Sequence, residues 1–373
     1  MKIKISIFVF FIIILLSNKL YATDSMLESQ TKELNIDKFI SETNSIVDED
    51  INFEDIFTKS VQGKSSSNII IKILGPLLGK ELKEALKIIT SILVIIILHG
   101  ILKSISENLG NQQTGKIGYF IQVIMLITVL IKVYSDILEL VKNTLGTFSN
   151  FIYTLIPFFV STIISTGNII TATQVQTIIL VGTNIITTFI SNIVIPIVVI
   201  ATVIGIISNI SDDINMNKIA KYMKSSIIWI LCTLLTIFTC FLSIESSLGQ
   251  GVDQMTTKTT KTAVSTFVPV VGKILGDTVE SVLGCTNLIK NAVGAVGVIA
   301  IIIIGLLPLL RIGITMMFLY LAGGIAEIVA DKKIVYVLEQ MGDSCKVLLA
   351  SLATITVMLI IGLTISMKMG LPI

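Results

Sequence analysis

Histidine, tryptophan and arginine each occur once in this chain of 373 residues, as His99, Trp229 and Arg311, and only 14% of its residues are charged. A single histidine without an acidic or cysteine partner on its own turn supplies neither a metal site nor a hydrolytic triad. The four cysteines exclude a disulfide framework: Cys232 and Cys240 fall inside an apolar run, Cys285 and Cys345 lack metal-ligand spacing, and all four read as small core residues. A scattered net charge of +2 excludes the footprint of a nucleic-acid binder. What fills the chain is apolar: 53% hydrophobic residues and a mean hydropathy of +0.92 exceed what a soluble domain of this length buries. The expected fold is an all-α polytopic membrane protein with about eight membrane helices plus short re-entrant or interfacial segments.

Proline is also scarce, with six in the chain, and four of them fall into two pairs, Pro157/Pro196 and Pro269/Pro308. The second pair follows the first at an offset of 112 (269 − 157 and 308 − 196), which also brings Gly182 onto Gly294. Beyond a short insertion, Met223 and Thr236 meet Met341 and Thr354 at an offset of 118. The spacing argues for two internal repeats, 146–250 and 251–373, although apolar helices of this composition also align by chance. Two related halves around a site is a ground plan of transporters. Each half reads as a short proline-bearing segment followed by three spans: 151–166, 175–191, 193–207 and 226–244, then 263–283, 288–307, 309–329 and 347–367. If the short segments dip in and return, the copies are inverted; if they cross, the copies are parallel.

Ahead of the repeats, 1–22 has the form of a signal peptide: Lys2 and Lys4, an apolar core, then Leu20-Tyr21-Ala22 as the cleavage site, with an uncleaved anchor as the alternative. Residues 23–68 form an acidic extracytoplasmic segment that reads either as a solvated linker or as short amphipathic helices. Residues 69–145 hold an N-terminal membrane hairpin, with an interfacial piece at 69–78 and spans at 84–102 and 117–133. Its connection, Lys103 to Lys116, contains a stretch, Gly110 to Lys116, that imitates a phosphate-binding loop. Ile117 stands where Ser or Thr is required and no strand precedes it, so it reads as a turn.

The stretch least like a lipid-facing helix runs from Gly251 to Gly297 and carries Lys258, Lys261, Pro269, Gly272, Lys273, Gly276, Asp277, Glu280, Lys290, Asn291 and Gly294. Charges at membrane depth belong in a packed interior or a wet cavity. Lys273, Asp277 and Glu280 share one helical face and would form an internally neutralised cluster; the rival reading lays the segment along the interface. Gly272 and Gly276 have the spacing that lets two helices approach closely. Arg311, after Pro308, would either bind an anionic group or snorkel to the surface. Asn168, Asn184 and Asn192 are candidates for hydrogen bonds between helices.

From Asp253 to Gly294 the residues Lys258/Lys261, Phe267-Val268-Pro269, Val271-Gly272, Gly276-Asp277, Gly284-Cys285 and Lys290-Asn291-Ala292-Val293-Gly294 resemble the stage III sporulation protein AE family of endospore-forming bacteria. The likeness extends to the whole layout of signal sequence, acidic segment, length and clustered spans. It implies a multi-pass protein of the mother-cell membrane facing the forespore, part of the channel-like complex joining mother cell and forespore, and needed for late forespore development. The partners it implies are membrane lipid, the other proteins of the stage III sporulation A operon, among them an ATPase and ring-forming proteins, and the stage II sporulation protein Q. Homo-oligomerisation stays open. Neither the residues nor the resemblance supplies a cofactor, a nucleic-acid partner or catalytic residues. Three readings result: a permease-like component with the cluster lining its route, a scaffold anchoring the ATPase and rings, and, least supported, an intramembrane enzyme, for which no catalytic constellation appears.

Overall fold

The computed structural model describes residues 24–47, 51–63, 112–210, 216–267 and 271–368 with scattered residues between 79 and 101, and side chains except those at 24–26, 112–120, 209–210, 246–281 and 329. The expected signal peptide, the interfacial piece at 69–78 and Pro269 lie outside the described residues. Every element among the described residues is helical.

Three short helices come first: α1 (Asp24–Glu33), α2 (Ile36–Val47) and α3 (Phe53–Val61). Of the two readings left open for this stretch, the amphipathic one holds and the solvated linker does not. Ile36, Phe39 and Ile40 of α2 and Phe53, Ile56 and Phe57 of α3 are buried against later helices. Covering each large side chain contributes about 1.5–3 kcal/mol, enough to dock helices this short. Asn52 caps α3, its Oδ1 accepting from the N–H groups of Glu54 (3.0 Å) and Asp55 (3.2 Å). The outward faces stay polar, with i,i+4 pairs Glu28–Lys32, Lys38–Glu42 and Asp55–Lys59.

The long helices are α4 (Gln112–Ser165), α5 (Ile169–Phe189), α6 (Ile195–Ile210), α7 (Asn217–Phe267), α8 (Val271–Val329) and α9 (Lys332–Lys368). A π turn, Ile190–Val194, fuses α5 and α6 into one run. Five of these units are long and apolar enough to cross a membrane: α4, the α5–α6 run, α7, α8 and α9. They divide the chain differently from the sequence reading, because the prolines do not end helices here. Pro157 lies inside α4 and Pro308 inside α8, so 288–307 and 309–329 are one helix. Among packed helices a missing proline N–H is tolerated when side chains and local register changes satisfy the backbone. The π turn shifts the register just ahead of Pro196. Gly167, at φ +83°, makes the left-handed turn between α4 and α5 that a side chain would strain.

Charge-free stretches occur at 143–165 in α4, throughout α5–α6, and at 225–244 in α7, 291–310 in α8 and 347–367 in α9. Each meets the ~20 residues a bilayer requires. Packing brings them to one level. Gly297 of α8 abuts Leu155 of α4 and Leu363 of α9; Gly305 abuts Phe148 and Thr356; Gly182 of α5 abuts Phe238 of α7 and Met358 of α9. α8 and α9, joined by a tight turn at 330–331, form the most extensive contact in the protein and occupy its centre, while α7 lies at its edge. Cys285 and Cys345 are core residues as expected. Cys232 and Cys240 are not: they sit exposed on the outer side of α7, whose apolar run faces outward.

Candidate functional site

Polar groups gather at both ends of the charge-free layer. At the end near the α8–α9 turn, the buried Lys224 of α7 extends its Nζ to α9, donating to the Gln340 main-chain carbonyl and to Gln340 Oε1, both at 2.9 Å. One turn further along α9, the Ser344 hydroxyl donates to the same carbonyl (2.7 Å) and lies 2.6 Å from the Thr202 hydroxyl of α6. Thr202 is 3.4 Å from the Tyr134 hydroxyl of α4. On α8, the Tyr320 hydroxyl donates to Asp343 Oδ1 at 2.7 Å. Lys224, Gln340, Ser344, Thr202 and Tyr134 thus join four helices, α7, α9, α6 and α4, in one hydrogen-bonded chain, with the Tyr320–Asp343 pair exposed beside it. Gly205 makes room for it, since a β-carbon there would lie 2.5 Å from Gln340 Oε1.

In the sequence Lys224 stands close behind Lys218 and Lys221 and looks like one more charge of a connection between spans. Helical period separates them: Ala220, Lys224, Ile227 and Leu231 share the buried face of α7, and Lys218 and Lys221 point out. Ser344 and Thr202 carry no such signal, being small hydroxyls within apolar runs.

At the opposite end stands Lys290 of α8, fully enclosed, with Ile289, Ala292 and Val293 buried around it. One turn before it, the Thr286 hydroxyl donates to the Val282 carbonyl (3.0 Å) and to Gln30 Oε1 of α1 (3.4 Å), while Gln30 Nε2 donates to the same carbonyl (3.3 Å). The candidates 290, 291 and 294 therefore share one end of α8: Asn291 is half-buried, and Gly294 admits Met367 of α9 against its backbone. Lys258 and Lys261 lie on α7 and Gly272, Lys273, Gly276, Asp277 and Glu280 on the first turns of α8, but their side chains, and with them the proposed cluster, fall outside the described residues.

Arg311 sits apart from both groups. It lines an open cleft of about 320 Å³ between the end of α2 (Ile46, Val47), α4 (Leu140, Asn143, Thr144, Thr147) and α8 (Ile303, Ile304, Leu307, Pro308). Of the three asparagines, Asn184 bridges helices, accepting from the Tyr153 hydroxyl of α4 at 2.9 Å, and Asn168 donates to Thr166 Oγ1 at 2.8 Å. Among the described residues no group of three His, Cys, Asp or Glu side chains could hold a metal ion.

A third polar feature lies outside. The outward side of α4 from 132 onward presents Lys132, Ser135, Asp136, Glu139, Lys142, Asn143, Gly146, Asn150, Tyr153, Pro157, Ser161 and Ser165, interrupted by Ile164. Its inward side is Val141, Leu145, Phe148, Phe151, Ile152, Leu155, Ile156 and Phe159. The outward side of α7 is the reverse, presenting Ile219, Tyr222, Trp229, Ile237, Phe241 and Ile244.

The family model described as stage III sporulation protein AE matches residues 51–370, from α3 to the end of α9. This chain belongs to that family. Among curated members it is similar to the stage III sporulation protein AE of Bacillus subtilis (strain 168), with 25% identity over 301 residues, covering 80% of this chain and 75% of that one. No solved structure matches. The family match therefore takes in the five apolar units and both buried lysines, and leaves out α1 and α2.

Proposed function

We propose that this member of the stage III sporulation protein AE family is a permease-like membrane component of the channel complex linking mother cell and forespore, acting in the mother-cell membrane with the ATPase, the ring-forming proteins and the stage II sporulation protein Q. Family membership implies a role in sporulation, and the five apolar helices support a membrane location. The observation that favours passage over simple anchoring is the pair of enclosed lysines, Lys290 at one end of the charge-free layer and Lys224 at the other. A buried ammonium is costly in a helix bundle, and ionisable groups retained inside membrane proteins belong to routes for ions or solutes far more often than to passive packing.

The test is flux through vesicles carrying the assembled complex, with Lys290→Met and Lys224→Met, which keep side-chain length and remove charge. The expected result is at least a tenfold loss of flux with assembly retained. Unchanged flux and full sporulation in both variants would overturn passage and leave the scaffold.

A further inference from the structure

The two outward faces of the protein call for different surroundings at the same level. α7 offers lipid an apolar wall. α4 offers Lys132, Asp136, Glu139, Lys142, Asn150 and Ser161, a row of about 30 residues rising about 45 Å, longer than the ~30 Å hydrocarbon core. α2 lies against the same side: Phe39 stacks on Phe158 with ring centroids 5.4 Å apart, well within the charge-free stretch of α4, while Asp37, Lys38 and Ser41 face away from the protein. A helix with a charged outer face, docked at the depth of the charge-free layer, cannot have hydrocarbon beside it without an uncompensated cost. That side needs water.

We propose that the α4–α2 face lines an aqueous lumen enclosed by several copies of this chain, each turning its α5–α7 side to lipid. A single copy has one dry wall and one wet wall, and a closed cyclic arrangement keeps both in the solvent they match. The lumen rests on the reading of the protein as a conduit and adds to it a route along the outside of α4, between copies. The charges on the row cancel, two lysines against one aspartate and one glutamate. Rings of one sign select ions of the other; a balanced wall fits small hydrophilic solutes of either charge.

The test uses the full chain in native membrane vesicles, with Asp136→Cys, Asn150→Cys and Ser161→Cys introduced singly and the exposed native Cys232 and Cys240 on α7 as controls for the lipid side. All three positions are exposed, so the substitutions leave the core untouched. A membrane-impermeant maleimide should label the three at least tenfold faster than Cys232 and Cys240, and the mass of the unmodified chain in lipid nanodiscs should correspond to several copies. Labelling at the control rate overturns the lumen, and so does a single copy per particle. Neither readout uses flux, so flux unchanged by the lysine substitutions together with rapid α4 labelling sinks the conduit reading, whereas flux lost on those substitutions together with unreactive α4 sinks the lumen alone.

Discussion

Helices α7 and α9 align at the offset of 118 noted in the sequence, yet 17% of the most apolar window of one is buried against 61% of the other. At the offset of 118, Ile237 corresponds to Ile355, Ile230 to Leu348 and Phe241 to Leu359. The α7 members are 59%, 37% and 51% exposed and the α9 members 0%, 0% and 2%. Side chains of nearly the same chemistry are therefore exposed on α7 and packed against protein on α9. Hydrophobicity does not distinguish these fates in a membrane protein, because hydrocarbon and packed core are equally apolar; packing does. What separates the two helices is the small residues of their neighbours: Gly297 and Gly305 of α8 bring α9 to the centre, and nothing comparable lies across the outer side of α7.

Truncation is the sharpest way to break the comparison. Ile355→Ala should cost about 2–5 kcal/mol through lost contacts and a residual cavity, while Ile237→Ala, whose void lipid refills, should cost under about 0.5 kcal/mol. Unfolding of the two variants in mixed micelles reads the difference directly. Equal costs would mean that α7 is covered in the assembly, by another chain rather than by lipid.

Insertion of charge comes next. Ile237→Lys should disfavour the membrane-embedded state by about 2.5–3.5 kcal/mol, whereas Gly146→Lys, on the outward row of α4, should cost less than about 1 kcal/mol. A glycosylation-based insertion assay in microsomes measures both. A heavy penalty at 146 would place lipid against α4 and erase the contrast between its face and that of α7.

How much of this was legible beforehand follows from the same contrast. Class and helical content were visible in composition, and Lys290 was visible as an ionisable residue in an apolar run. Span boundaries were not: 117–133 and 151–166 read as separate segments and Pro308 as the point between two spans, where single helices run through both stretches. The polar row of α4 was also present in the residues: from 132 to 161 its polar side chains recur at helical spacing. It stayed hidden because three consecutive segments, a span, a connection and a short re-entrant piece, were read where one helix runs. Cys232 and Cys240 were misplaced for the opposite reason, an apolar neighbourhood being taken for a buried one.

The polar chain at the α8–α9 end joins α4, α6 and α7 to α9, so weakening it should loosen those helices against α9. Gly205→Ala would push Gln340 Oε1 aside, leaving Lys224 with the main-chain carbonyl as its remaining named acceptor. Loss of a hydrogen bond to a charged, buried group costs about 1–3 kcal/mol. Lys224→Met in the same background should add little further loss, because both changes act on one contact. A double-mutant cycle on thermal unfolding reads the coupling, and strictly additive effects would show that Gly205 matters for helix approach and not for the lysine.

The smallest effect belongs to the surface of the N-terminal helices. Lys38 and Glu42 are 3.8 Å apart on α2 with side chains 68% and 39% exposed. An exposed i,i+4 pair of this kind contributes about 0.3–0.5 kcal/mol and fades with salt. Lys38→Gln should therefore leave folding within that margin, against the several kcal/mol expected at Ile355. A polar face retained on α2 without need for stability is a face kept for its surroundings. If Lys38→Leu also left stability, labelling of α4 and sporulation unchanged, water beside α2 would no longer be required, and the wet wall would shrink to α4 itself.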